Sequence, residues 1–192
     1  MEGLEVVSCE KCPALVESRH RIVNGTGPAD ADVLFVGEGP GEQEDREGEP
    51  FVGRSGSVLD EALGRHGLDR GTVRITNCVR CRPPENRDPT SEELTNCRGW
   101  LDAEIERVDP AVVVTLGKVP SQHLLGRDVA VTSEAGTAET VELAGERRQV
   151  LICVHPAATL YDRSQEDTFD STIEQAATIA GAEGGQSQLG DF

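Results

Sequence analysis

The chain has 192 residues, which suits one domain with a short appendage, and its 36% hydrophobic content with 21 glycines is enough to build a core. No apolar run approaches the roughly 20 residues that cross a bilayer, which excludes a helical membrane protein. The 18 Lys and Arg stand against 35 Asp and Glu, a net charge of −17, so a disordered chain is the first class to exclude; periodic apolar runs exclude it everywhere but the C-terminal stretch.

Lys11 and Lys118 are the only lysines. A carboxylate-rich, lysine-poor surface suits work in molar salt, where repulsion is screened within about 3 Å, so net charge does not exclude a nucleic-acid substrate. A halophilic setting is therefore expected. The opening MEGLEVVSCEKC has neither a basic segment nor a long apolar one, and a cytoplasmic protein is expected.

In chain order, Cys9-Glu-Lys-Cys12 opens an N-terminal cysteine arm. Asp32 to Gly37 reads as a buried strand ending at a glycine-rich loop, and 42–53 as part of that loop. Ser57 to His66 has helical spacing and closes at Gly67. Val73 to Val79 is the next strand, stopped before Pro83-Pro84. Thr90-Ser-Glu-Glu93 resembles a capping box for a helix reaching Val108. Ala111 to Leu116 is a third strand, and Gly117 to Leu125 a short helix with Pro120 in its first turn. Residues 129–132 and 140–143 suggest a small hairpin-like excursion. Gln149 to Val154 is the fourth strand, delivering His155-Pro156, and a last helix spans Ser164 to Ala180. The reading is a three-layer α/β/α domain over 1–180 with a central four-stranded, mainly parallel sheet, and a flexible polar tail over 181–192.

Sites of parallel α/β proteins gather at the carboxyl ends of strands. Three such ends carry unusual chemistry: Gly37-Glu-Gly-Pro-Gly41, Asn77 with the segment to Arg87, and His155-Pro-Ala-Ala158. The first matches neither phosphate-loop pattern, but it holds Glu38 on a rigid turn. Phe51, one of few aromatics, lies in a loop where it could stack on a planar ligand. The cysteines Cys9, Cys12, Cys78, Cys81, Cys97 and Cys153 speak for metal or redox use rather than disulfides. A zinc ribbon from Cys9, Cys12, Cys78 and Cys81 is one arrangement, although 65 residues separate its pairs.

Together, Gly37 to Gly56, Ile75 to Arg87 and HPAA at 155–158 resemble, in order, the blocks of the family 4, iron–sulfur uracil-DNA glycosylases. The resemblance runs from Cys9 to Tyr161. It implies that Cys9, Cys12, Cys81 and Cys97 ligate a [4Fe–4S] cluster, with Cys78 and Cys153 left as core residues. It implies catalysis by Glu38, Asn86 and His155. Glu38 would position or activate water, assisted by Asn86, and His155 would donate to uracil O2. Gly39, Glu44, Phe51 and Asn77 would bind uracil: Phe51 by stacking, Asn77 by reading O4 and N3–H, and Glu44 by crowding C5 against thymine's methyl. Arg54, Ser55, Arg82 and Arg87 would contact DNA, among an island of arginines that includes Arg74, Arg80 and Arg98. Leu160, with Tyr161, would wedge the gap left by the flipped base.

The implied function is monofunctional excision of uracil from single- or double-stranded DNA, since no lysine belongs to the implied site. A sliding clamp is a candidate partner and a monomer is expected. A non-catalytic iron–sulfur DNA- or damage-binding protein on the same fold is the alternative. A relative that traps the abasic sugar through a histidine loop is disfavoured, because residues 86–90 contain no histidine.

Overall fold

Strands rich in apolar residues on both faces must be covered on both, and that requirement organises the domain. The computed structural model describes residues 5–184. The sheet has five strands in the order β2-β1-β3-β5-β4. Fully buried β1 (Val33–Gly37) and β3 (Val112–Leu116) lie side by side and parallel. Next to β1 is parallel β2 (Arg74–Asn77), and next to β3 is parallel β5 (Glu146–Cys153). The fifth strand, β4 (Ala138–Leu143), pairs antiparallel with β5 through a tight turn. Ala144 (φ 52°) and Gly145 (φ 80°) supply the two left-handed residues such a turn needs.

Four strands were expected, and β4 is the addition. Its alternating exposure marks an edge strand with one face in solvent, which the short apolar pattern at 140–143 only half reveals. The other half of the expected excursion, 129–132, is no strand: α6 (Val131–Glu134) begins there.

Side chains alternate across the strands and divide the core in two. Val33 and Phe35 face Leu59, Ala62 and Leu63 of α3 (Arg54–Arg65) and Phe169, Ile173 and Ala176 of α8 (Ser164–Gly184). Leu34 and Val36 face Leu101 and Ile105 of α4 (Ser91–Val108) and Leu124 of α5 (Lys118–Leu125). The capping box of α4 forms as expected: Glu93 N donates to Thr90 Oγ1 at 3.2 Å, and Thr90 N to Glu93 Oε2 at 2.8 Å. Helix α8 continues through Gly184, so the first residues of the expected 181–192 tail are helical; the rest lie outside the described residues.

Besides α6, three short helices escaped the sequence: α1 (Pro13–Ser18), α2 (Glu42–Glu47) and α7 (Pro156–Thr159). All are too short to show a period, and α2 consists wholly of polar residues. No helix of the described residues is long and apolar enough to cross a membrane.

Candidate active site

The chain leaves β1 toward β2 on one side and returns across the sheet to β3 on the other, which opens a crevice at the carboxyl ends of the strands. A cavity of about 180 Å³ lies there, lined by Glu38, Gly39, Gly41, Glu44, Phe51, Ser55, Asn77 and His155. Six come from a strand end or the loop beyond it, and Glu44 and Ser55 from the starts of α2 (Glu42–Glu47) and α3 (Arg54–Arg65).

Asn77 closes β2 and is buried, yet its Oδ1 has no hydrogen-bond partner. A buried acceptor left unpaired costs about 1–3 kcal/mol, so the atom invites a donor from a ligand. Gly37 makes the space: a Cβ there would fall 2.3 Å from Asn77 Oδ1 and 2.6 Å from the Phe51 ring. Phe51 is also buried, and its backbone is strained at φ 56°. Arg70 holds it, donating from Nη1 to Pro50 O at 3.0 Å and from Nη2 to Phe51 O. Gly56 lets the loop close, because a Cβ at that position would sit 1.7 Å from Phe51 O. The Phe51 and His155 rings lie 5.9 Å apart at 31°, forming one wall of the cavity.

His155 caps α7, and Ala157 N donates to its Nδ1 at 3.0 Å. That bond assigns the ring proton to Nε2. Burial pushes the imidazole down to about 4, so the ring is a neutral donor at neutral pH.

Glu38 is half-buried just beyond β1, and its carboxyl is raised to about 7, first by burial and then by the charge and hydrogen bond of Asp88. Glu44 is a brace. Its Oε2 accepts from Gly41 N at 3.1 Å and its Oε1 from Gly53 N at 3.3 Å, tying α2 to the first turn of α3.

Other expected residues are placed less centrally. Asn86 is exposed and does not line the cavity; its Oδ1 accepts from Arg82 Nε at 2.8 Å. Arg54 is exposed at the start of α3 beside Ser55. Arg87 makes a two-pronged pair with Glu93, at 2.8 and 2.7 Å. Leu160 and Tyr161 are exposed apolar side chains just past α7. Two members of the arginine island turn inward. Arg74 and Arg80 are buried on Glu104, at 2.8 and 2.7 Å, and Arg98 pairs with Asp102 at 2.7 Å.

Sequence reasoning missed Arg70 and Asp88, whose roles depend on contacts that no local pattern encodes. Gly56 lay inside the first block without a role, just before the helix expected from Ser57; α3 in fact begins at Arg54 and takes it in.

A second cavity lies under the N-terminal arm, lined by Cys9, Cys12, Cys81 and Cys97 together with Arg19, Arg80 and Asn96. Arg19 Nη1 donates to Cys81 Sγ at 3.0 Å, and Asn96 Nδ2 to Cys12 Sγ at 3.6 Å. Cys78 and Cys153 are fully buried in opposite halves of the core, and burial pushes both thiols up. The zinc set containing Cys78 is thereby overturned. Among the described residues, no three His, Cys, Asp or Glu side chains converge as a site for a single metal ion.

The uracil DNA glycosylase superfamily model matches residues 24–177, which carry every residue around the first cavity. The chain belongs to that superfamily. It is 38% identical over 181 residues to a type-4 uracil-DNA glycosylase of Archaeoglobus fulgidus, covering 92% of this chain and 90% of the relative. It is 42% identical over 171 residues to a type-4 uracil-DNA glycosylase of Thermotoga maritima, covering 86% and 87%. A type-5 uracil-DNA glycosylase of Pyrobaculum aerophilum is 33% identical over 208 residues, covering 92% and 91%. In this superfamily member neither lysine lines the crevice at the strand ends.

Proposed function

We propose that the chain is a monofunctional uracil-DNA glycosylase that takes uracil out of the stack and hydrolyses its N-glycosidic bond, leaving an abasic site and opening base-excision repair. One observation carries the reading: the unpartnered, buried Oδ1 of Asn77 beside the Phe51 ring, in a cavity of about 180 Å³. A flipped uracil offers N3–H to that oxygen and O4 to the amide N–H, while Phe51 covers the ring face. Cytosine presents an acceptor at N3 and a donor at C4, so both contacts fail. Glu44, braced by two backbone amides, would stand at C5.

Water oxygen forms its bond to C1′ as the C1′–N1 bond breaks, and the electron pair leaves with the base. The neutral Nε2–H of His155 donates to O2, where the charge develops, a contact worth several kcal/mol in a dry site. Glu38 as carboxylate accepts the proton of the attacking water and faces the cationic sugar. Asp88, rather than Asn86, stands beside it in this geometry. With no lysine at the cavity, no Schiff base forms and the strand is left intact.

Ser55 and Arg54 at the start of α3, with Arg82, would hold phosphates, and Leu160 with Tyr161 would fill the gap in the stack. Arg87 would shape the loop through Glu93. Cys9, Cys12, Cys81 and Cys97 would hold a [4Fe–4S] cluster; four thiols on one cavity with N–H donors to two sulfurs suit it. When bound, the cluster supplies a covalent tie between arm and domain. A monomer acting in a salt-rich cytoplasm, with a sliding clamp as candidate partner, completes the reading.

The test is uracil release from a labelled oligonucleotide in dilute buffer and in molar KCl. Breakage at uracil only after alkali, absent at thymine and cytosine and lost in Glu38→Gln, is expected. No release at any salt from iron-loaded protein would overturn the reading in favour of a binding protein.

A further inference from the structure

Glu44 and its neighbour Asp45 point opposite ways from α2. Glu44 lines the strand-end cavity, whereas Asp45 is fully buried against the N-terminal arm. Its carboxylate gathers the backbone N–H of His20 at 2.9 and 3.0 Å, that of Arg21 at 3.2 Å, and His20 Nδ1 at 2.5 Å. The preceding residue, Arg19, reaches the other way: Nη1 donates to Cys81 Sγ at 3.0 Å and Nη2 to Cys9 O at 2.8 Å. Three consecutive residues of the arm therefore touch the cysteine cavity at one end and α2 at the other.

Helix α2 is six polar residues long and buries no apolar side chain. A helix so short has little stability of its own and takes its position from tertiary contacts. Its two buried or cavity-lining carboxylates anchor it most closely: Asp45 on the arm, and Glu44 on Gly41 N and Gly53 N. The other charged groups of α2 have partners of their own: Glu42 pairs with Arg46 and lies 3.8 Å from Arg82, and the Glu47 carboxylate accepts from Gln43 Nε2 at 3.2 Å, while Arg21 Nη1 approaches the Glu47 carbonyl at 3.5 Å.

We propose that Asp45 is a positioning residue through which the cysteine-held arm fixes α2, and with it Glu44 and the Gly41 turn, at the wall of the base cavity. The metal centre would then act on base selection by geometry, through residues 19–21, with no electron transfer. The functional half rests on the glycosylase reading; the mechanical half does not.

The experiment compares iron-loaded wild type, Asp45→Asn and His20→Ala. Amide hydrogen exchange is read at Gly41 and Gly53, whose N–H groups report the seat of Glu44. Iron content and visible cluster absorption confirm loading. In Asp45→Asn both amides should exchange roughly tenfold faster with iron retained; His20→Ala, which keeps the backbone donors, should show a smaller change of the same sign. In uracil release, KM should rise about tenfold with kcat within about twofold, and the uracil-over-thymine preference should fall.

Unchanged exchange at Gly41 and Gly53 in both variants overturns the proposal. So does a kcat loss with KM and base preference intact. If Asp45→Asn does not fold, His20→Ala decides by the same amides. Absence of uracil release by wild type would refute the glycosylase reading alone, leaving exchange to judge the strap.

Discussion

The most exposed consequence of the site is its pH dependence. Burial and the neighbouring Asp88 place Glu38 at about 7, while burial keeps His155 neutral down to about 4. If the carboxylate form of Glu38 is the working one, about a tenth of the protein is competent at pH 6 and about nine tenths at pH 8. Single-turnover kcat/KM should therefore climb about tenfold between those values. Asp88→Asn removes the charge and keeps the side chain's shape. The burial contribution stays, so the acid limb moves down without reaching the ordinary carboxylate range. The gain at pH 6 has a ceiling of about tenfold, the whole of the unionised fraction, whereas at pH 8 it cannot exceed about a tenth. Because Asp88 is exposed, molar KCl should shrink the difference between the two profiles. The assay is uracil release from single-stranded oligonucleotide, from about pH 5 to pH 9, at low and at molar salt. Superimposable acid limbs for the two proteins at low salt would refute the Glu38–Asp88 coupling. Activity that falls as pH rises through 7 would refute the carboxylate role altogether.

Glu38→Gln should abolish release yet stabilise the fold. A carboxyl raised from 4.5 to about 7 binds its proton more tightly in the native state, so wild-type stability falls as pH rises through that window. The unfolding midpoint of Glu38→Gln should exceed wild type by an amount that grows from pH 5 to pH 8, on the order of 1 kcal/mol once solvent screening is allowed for. Asn77→Asp should lose the N–H that meets O4 and cut uracil release about tenfold to a hundredfold, with cytosine release gained, as read in a paired-substrate assay. Gly56→Ala puts a Cβ 1.7 Å from Phe51 O, which should cost about 1–3 kcal/mol in denaturant unfolding and raise KM through a displaced Phe51. Cys97→Ser should lose iron and expose the 9–21 arm to protease while the far-ultraviolet spectrum is retained; stoichiometric zinc in place of iron in wild type would overturn the cluster assignment.

Much of the site was legible because its residues sit where strands end. A buried strand announces itself by a dense apolar run, as at 33–36 and 112–114, and the residues just past its carboxyl end must line the crevice. Glu38, Asn77 and His155 were found that way, and the capping box at Thr90 by its local chemistry alone. Phe51 could not be assigned to stack or core from sequence; it is buried at the cavity with a positive φ, and only Arg70, nineteen residues on, explains why that backbone is tolerated. The arginine island misled for a similar reason. Five arginines in one segment look like a phosphate-binding face, but Arg74 and Arg80 turn inward to Glu104, a partner more than twenty residues away.

By itself the sequence determined the α/β class and the strands that carry the chemistry, because period, spacing and turn chemistry are local properties of the chain. The resemblance of its blocks to a family singled out the four cysteines that share a cavity. Only the tertiary structure decided the protonation of Glu38 and His155, the orphaned oxygen of Asn77 and the strap from Cys81 through Arg19 and Asp45 to Glu44. Those depend on burial and on meetings between distant residues. The free energy of a charge or an unpaired acceptor is set by what surrounds it in space, which order along the chain does not specify.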